Sequence, residues 1–252
     1  MINTDTIINE LRDLNYQFLA NNKNGFRINE KNYICKKGEI PILLSAPHAV
    51  KQYRDGQVKL SDYLTGPLAI YLAERCNCSY FVRIYNDNSD PNYPLGITLQ
   101  NIDDNYLVAL KKFIQDYKQF LVIDLHGCSN NRLYDCSIWS NNYKTCDREI
   151  IKMFEYSFNK SNITIDNGSE YLGGQVTRQC SLITNAFQIE VKRSIRNLKL
   201  ENYYLLKSFI DSMEKSIYNT YDHSLELEKV KRYWFLRIYM QKAITVYVKN
   251  DL

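Results

Sequence analysis

Two of the chain's three histidines stand at the ends of apolar segments, where a folded sheet presents its functional groups. His48 ends the run that begins at Ile40, and His126 ends the run that begins at Leu121. Both runs are typical of buried strands. Because ligand-binding groups gather at the carboxyl ends of such strands, we expect the imidazoles to meet if the strands are neighbours. The pair predicts a metal or catalytic site; the alternative is two core histidines satisfied by neighbouring groups.

The residues around His126 strengthen the metal interpretation. Asp124 lies two residues earlier, so both side chains leave the same face of a strand. A carboxylate there can hold the proton of one ring nitrogen while the other nitrogen faces a metal. Gly127 is expected to let the backbone turn away without crowding the site.

Two further acids have both an ordinary and a functional interpretation. Asp62 begins a predicted helix, where it is either an N-cap or a carboxylate ligand on the same side of the sheet as His48. Glu190 lies in an alternating strand, and burying its charge is unfavourable unless it is paired or used. It is either a general base or the partner of a nearby arginine, namely Arg178, Arg193 or Arg196.

The remaining periodicity predicts the elements that must position these residues. Helical spacing predicts helices that start at Thr4 or Asp5 and at 63–76, 105–118, 147–158 and 202–218. Strands are predicted at 80–85 and 136–139, and residues 167–178 are predicted to form a long loop around Gly173-Gly174. Weak alternation at 234–239 and 243–248 predicts an added hairpin, with a helix as the alternative for the first segment.

Length and composition limit the number of domains and the kinds of partner that the chain can have. The 252 residues fit a single domain, 1–252, with 223–252 as a candidate C-terminal appendage. A net charge of +4 with no basic stripe argues against nucleic acid, and no segment is long and apolar enough to span a membrane. Seven irregularly spaced cysteines and the absence of a secretion signal predict reduced thiols in the cytoplasm. The sequence assigns no oligomeric state.

Taken in order, the motifs over residues 43–196 resemble the N-formylglutamate amidohydrolase family, which is related to the zinc carboxypeptidases. Ser45-Ala46-Pro47-His48-Ala49 and Asp124-Leu125-His126 look like its two histidine motifs. Asp62 stands where the family places an acid before a helix. The other matching segments are Asp90-Pro91-Asn92, Gly173-Gly174-Gln175-Val176-Thr177-Arg178 and Gln188-Ile189-Glu190-Val191.

The resemblance implies an α/β fold, with a mixed, mostly parallel central sheet flanked by helices, as in the zinc carboxypeptidases. It implies one zinc ion per chain, held by His48, Asp62 and His126, with one position left for the attacking water. Glu190 would be the general base that passes the proton of this water to the leaving amine. Arg178, with help from Asn92, would bind a substrate carboxylate.

Two departures from the family pattern qualify these expectations. Position 51 is lysine, so the His-x-x-Glu spacing of the carboxypeptidases is absent. The acid ligand must come from further along, and Asp62 is our choice with Asp55 as the fallback. Tyr93 stands where the family usually has an arginine after the asparagine. If that arginine binds the substrate carboxylate, the reaction class is expected to hold here while the substrate differs from N-formylglutamate.

The sequence therefore predicts a zinc-dependent hydrolase that cleaves the C–N amide bond of a small N-acyl, carboxylate-bearing molecule. The first alternative is a carboxypeptidase or amidase that acts on peptide or cell-wall peptide. The second is a catalytically inactive relative that binds a ligand.

Overall fold

The computed structural model of the chain describes residues 4–54, 56–92, 105–168 and 171–250, with side chains described at 6–54, 56–92, 106–168 and 171–226. Its helices are α1 (Thr4–Lys23), α2 (Thr65–Cys76), α3 (Asn105–Asp116), α4 (Arg148–Lys160), α5 (Gln175–Cys180) and α6 (Tyr203–Asn250). A 3-10 turn at Leu200–Asn202 directly precedes α6. No described helix is both long enough and apolar enough to cross a membrane.

The strands form one central sheet and one small hairpin. The sheet contains β1 (Tyr33–Lys36), β2 (Ile40–Ala46), β5 (Cys78–Arg83), β6 (Leu121–Cys128), β7 (Cys136–Trp139), β8 (Ile165–Asn167) and β9 (Asn185–Lys192). The hairpin consists of β3 (Gln52–Arg54) and β4 (Gln57–Lys59). Across the central sheet the order is β1-β5-β2-β6-β9-β7-β8. The β1–β5 and β7–β9 pairs are antiparallel and the other pairs are parallel, which confirms a mixed, mostly parallel sheet flanked by helices.

Each strand of the sheet centre is apolar on both faces, because helices cover both sides. Leu43, Val122 and Ala186 share one face and pack beneath α3 and α5. Leu44, Ile123 and Phe187 share the other face, within the larger core under α2, α4 and α6. Towards the carboxyl ends of the strands, the first face changes from apolar to polar, and the polar side chains there are Ser45, Asp124, His126, Gln188 and Glu190.

The sheet order brings the predicted site residues onto neighbouring strands. β2, β6 and β9 are adjacent and parallel, so their carboxyl ends lie at one edge. His48 follows β2 by two residues, and His126 and Glu190 are register partners on β6 and β9. The condition under which the two imidazoles were expected to meet, that the histidine strands are neighbours, is met.

Three predicted elements are wrong or incomplete. The loop predicted at 167–178 contains the start of α5, whose six residues are too few for a visible helical period. The hairpin predicted at 234–248 is wrong, because α6 continues as helix to Asn250. β6 does not turn away at Gly127 but continues to Cys128.

Candidate functional site

Three buried residues converge at the carboxyl edge of the sheet. The potential ligand atoms of His48, Asp62 and His126 all lie within 4.8 Å of one another. Asp62 Oδ2 is 3.4 Å from His48 Nδ1 and 3.3 Å from His126 Nδ1. Tetrahedral zinc with ligand bonds of about 2.0–2.1 Å separates its ligand atoms by roughly 3.3–3.4 Å. Two imidazole nitrogens and one carboxylate oxygen therefore fit a metal ion in both chemistry and spacing.

Asp62 reaches this position because its backbone is fixed next to both histidines. Its N–H donates to the carbonyl of His48 at 2.8 Å, and its Oδ2 accepts from the backbone N–H of Gly127 at 3.1 Å. The helix α2 begins only at Thr65, after Leu64 in a left-handed conformation, with no side-chain cap. The N-cap alternative for Asp62 is therefore wrong, and its carboxylate belongs to the cluster.

A second carboxylate contacts the outer nitrogen of His48. Asp90 Oδ1 lies 2.8 Å from His48 Nε2, and Asp90 Oδ2 accepts two bonds from the guanidinium of Arg54 at 3.0 and 2.6 Å. Lys59 Nζ is 2.6 Å from the inner nitrogen, Nδ1, so its ammonium group lies beside the cluster. Sequence reasoning missed this role of Asp90, because Asp-Pro in a polar loop is an ordinary turn signal.

Asp124 makes the equivalent contact with His126. Its Oδ2 lies 3.1 Å from His126 Nε2, as expected for a carboxylate two residues earlier on the strand. Ser45 and Thr177 donate to the same carboxylate, each at 3.1 Å. Asp124 is thus buried with both oxygens hydrogen-bonded, and its contact with Nε2 leaves Nδ1 facing Asp62.

The electrostatics of the cluster favour positive charge. Burial alone would raise the pKa of Asp62, but hydrogen bonds from His126 and His48 and the charge of Lys59 hold it well below its usual value. Burial alone would lower the pKa of His126, but Asp124, Asp62 and Glu190 raise it to about 10. A cation between these groups is therefore favoured, which a metal site requires.

Glu190 is oriented by its neighbour on the same face of β9. Gln188 Nε2 donates to Glu190 Oε1 at 2.8 Å, while Gln188 Oε1 accepts from the backbone N–H of Gly174 at 2.7 Å. None of the described basic side chains forms an ion pair with Glu190, so the pairing with Arg178, Arg193 or Arg196 is not observed. Glu190 lines the cavity instead.

Asn92 links the loop after β5 to both the cluster and α5. Its Nδ2 lies 2.8 Å from His126 Nε2, and its Oδ1 accepts from the backbone N–H of Val176 at 2.7 Å. A Cβ on Gly174 would lie 2.3 Å from Asn92 Oδ1, so only glycine permits this approach. The Gly173-Gly174 segment therefore closes one side of the site.

A cavity of about 400 Å³ opens over these groups. Besides the cluster, Glu190 and Asn92, its lining includes Arg54, Lys59, Arg132, Trp139 and Gln188. Arg178 is not among the lining residues, and its guanidinium bonds Gln175 Oε1 at 3.0 Å. The structure thus does not bring Arg178 to the cavity, whereas Arg132, which sequence reasoning did not single out, is at its mouth. Asp55 and Tyr93 lie outside the described residues.

Comparison with known proteins defines the fold. No family model and no curated protein sequence matches the chain. The structure is similar to N-formylglutamate amidohydrolase from Ralstonia eutropha JMP134, with a TM-score of 0.60 and 14% identity over 75% of this chain and 98% of that one. It is also similar to gene product Atu2144 from Agrobacterium tumefaciens, with a TM-score of 0.52 and 12% identity over 76% and 96% of the two chains.

A third similar structure is a bacteriophage poly-gamma-glutamate hydrolase, with a TM-score of 0.50 and 12% identity over 78% of this chain and 93% of that one. At these identities the similarity establishes a shared fold. It confirms, at the level of fold, the resemblance that the motifs indicate.

Proposed function

We propose that this protein is a zinc-dependent hydrolase of the C–N amide bond in a small N-acyl amino acid or a related carboxylate-bearing amide. The observation that carries the proposal is the convergence of two histidine nitrogens and one carboxylate oxygen within 4.8 Å of one another, beside Glu190 on the neighbouring strand. Both separations between the carboxylate oxygen and a histidine nitrogen match tetrahedral spacing. The shared fold with an N-formylglutamate amidohydrolase supports the same reaction class.

His48, Asp62 and His126 would hold the metal, and Asp90 and Asp124 would keep the two imidazoles in the ligating tautomer. When bound, zinc supplies a Lewis acid that polarises the substrate carbonyl and acidifies water. Three protein ligands would leave the metal open to water or substrate, as in catalytic zinc sites.

Glu190 carries the proton in the proposed reaction. Its carboxylate lines the cavity next to His126 and is aimed by the hydrogen bond from Gln188. It accepts the proton of the attacking water and then donates it to the amine nitrogen as the C–N bond breaks. The products are a carboxylic acid and a free amine.

The substrate carboxylate is assigned to Arg132. This residue lines the cavity, is exposed, and has no carboxylate partner among the described residues, whereas Arg54 is engaged by Asp90. A guanidinium binds a carboxylate through two parallel hydrogen bonds. The cavity volume of about 400 Å³ suits a small ligand.

One observation favours a larger peptide as the second candidate substrate. The Trp139 ring lines the cavity and stacks on Tyr171, with ring centroids 4.8 Å apart. Tyr171 is 53% exposed and Leu172 is 51% exposed, so the aromatic wall continues outwards. Such a surface suits a chain that extends beyond the cavity, as in a peptidase or a cell-wall amidase.

The proposed reaction is tested by amine release from a panel of substrates, after loading with zinc. The panel contains N-formylglutamate, N-acetyl amino acids, their carboxamide derivatives, and short peptides with α- and γ-linked glutamate. Turnover of the small N-acyl acids above the peptides supports the proposal, and a preference for peptides selects the second candidate. A zinc-loaded protein that turns over nothing in the panel contradicts both and favours an inactive, ligand-binding relative.

A further inference from the structure

A buried arginine lies behind the proposed site and takes no direct part in it. Arg196 is 4% exposed, and no described carboxylate lies within 4.0 Å of its guanidinium. Instead it donates to three backbone carbonyls: Nε to Val191 at 2.9 Å, Nη2 to Cys128 at 3.1 Å, and Nη1 to Tyr63. Burying a cation without an ion-pair partner is costly, so these bonds have to compensate for lost hydration.

The three carbonyls belong to the three segments that carry the site. Tyr63 follows Asp62, Val191 follows Glu190, and Cys128 lies two residues after His126. Their separation in the chain is large, and one planar guanidinium joins all three. Its rigid fork of donors fixes the relative positions of the carbonyls, which a lysine could not do.

The Arg196 guanidinium packs against Gly127, where any side chain would collide with it. A Cβ at Gly127 would lie 2.3 Å from the central carbon of the Arg196 guanidinium. Because side chains alternate along β6, this Cβ would point to the face opposite His126. The glycine is therefore explained by close packing of Arg196 against the strand.

The backbone next to Tyr63 also needs such support. Leu64 has φ 67°, a left-handed conformation that branched apolar residues rarely adopt. This turn separates Asp62 from α2 and directs the aspartate back to the histidines. The bond from Arg196 to the Tyr63 carbonyl holds the turn from behind.

We propose that Arg196 is a positioning residue that fixes the metal-ligand segments of Asp62 and His126 and the general-base segment of Glu190 relative to one another. The inference deepens the proposed function and rests on it for its catalytic meaning. The positioning itself is a property of the chain without metal or substrate.

The first test measures positioning in the metal-free protein by amide hydrogen exchange. Arg196→Met removes the fork and keeps the apolar stem, and Arg193→Met is the matched control, because Arg193 is exposed in the same segment. We expect faster exchange in Arg196→Met at 60–66, 124–130 and 188–194, with β5 unchanged. Exchange equal to the parent at 60–66 and 124–130 overturns the proposal.

The second test measures the site itself. We expect Arg196→Met to bind zinc at least ten-fold more weakly in a chelator competition, and its kcat to fall while KM changes less than two-fold. Arg196→Lys is expected to recover part of the zinc affinity. Ile217→Ala, a core truncation in α6, controls for general destabilisation, and we expect it to lower Tm and leave zinc affinity unchanged.

The outcomes separate this proposal from the proposed function. Zinc affinity in Arg196→Met that falls no further than in Ile217→Ala overturns the positioning role. If Arg196→Met does not fold, the exchange experiment is done with Arg196→Lys and with Gly127→Ala, whose added methyl displaces the guanidinium. Faster exchange at 60–66 and 124–130 in these variants supports the proposal, and exchange equal to the parent overturns it. A parent chain that binds no zinc contradicts the proposed function, and the exchange experiment still judges Arg196.

Discussion

Asp90 and Asp124 determine which nitrogen of each histidine faces the proposed metal. Each carboxylate lies against an Nε2 atom, which directs both Nδ1 atoms towards Asp62. Without a cation, the two Nδ1 lone pairs and the Asp62 oxygen would face one another across 3.3–3.4 Å. Although burial opposes it, the carboxylates of Asp124, Asp62 and Glu190 raise the pKa of His126 to about 10, so the surroundings of this ring are negative.

Glu190→Gln tests the proton carrier directly. The amide keeps the size of the side chain and can still accept the hydrogen bond from Gln188, but it cannot accept a proton from water. We expect zinc content to stay at the parent level and kcat to fall by about 10²–10⁴. Glu149→Gln, at an exposed position on α4, is the control. A near-normal kcat in Glu190→Gln would show that another group carries the proton.

Assigning the substrate carboxylate to Arg132 or to Arg178 leads to opposite predictions for the two alanine variants. If Arg132 binds the carboxylate, Arg132→Ala raises KM for N-acyl amino acids by about ten-fold or more, which corresponds to one charged hydrogen-bonding contact. Neutral amide substrates should be affected less than two-fold. We expect Arg178→Ala to behave as the parent; the reverse pattern would restore the family-based assignment of Arg178.

At the scale of elements, the strands were predictable and the loops that complete the site were not. Apolar runs that end in histidine identify β2 and β6, because the two-residue period of a strand fixes which side chains share a face. The contacts of Asp90 and Lys59 with His48 depend on where the loop after β5 and the β3–β4 hairpin fold back. No local pattern encodes such long-range contacts.

Asp62 illustrates the same limit. Its position before a helix is equally typical of an N-cap, and only the resemblance to a family favoured the ligand. The structure distinguishes the two because the left-handed Leu64 moves the helix start to Thr65. In contrast, α5 gave no signal, because it has six residues and no side-chain cap.

Gly174→Ala tests how α5 and β9 close the site. The added methyl would overlap Asn92 Oδ1, so the segment must move away from Asn92 and from Gln188, which orients Glu190. We expect at least a ten-fold loss of kcat with zinc content unchanged. Glu149→Gln, at the exposed position on α4, again serves as the control. Full activity in Gly174→Ala would show that this closure is not needed for catalysis.

At the scale of the whole molecule, one sheet edge collects residues from segments between 48 and 190. The two similar histidine strands indicated a shared sheet edge if they were neighbours, but no sequence pattern placed β9 beside β6. The flanking helices followed from their helical spacing. The C-terminal third was less predictable. Weak alternation at 234–248 does not distinguish strand from helix, and the structure has helix there.

Binding of zinc to the folded state predicts a dependence of stability on the metal. A ligand at about 100 times its Kd stabilises a protein by about 2.7 kcal/mol. For a chain of this length we expect the Tm to fall by about 5–10 °C when a chelator removes zinc. The shift should disappear in Asp62→Ala. A parent Tm that is insensitive to both chelator and added zinc contradicts a folded-state metal site.

Zinc content by elemental analysis gives a direct test of the metal site. The parent, His126→Ala and His223→Ala would be purified in parallel and equilibrated with the same zinc concentration. His223 is the remaining histidine and lies on α6, away from the cluster, so it serves as the matched control. We predict about one zinc per chain in the parent and in His223→Ala, and almost none in His126→Ala. Equal zinc in all three proteins, or none in the parent, would contradict the account.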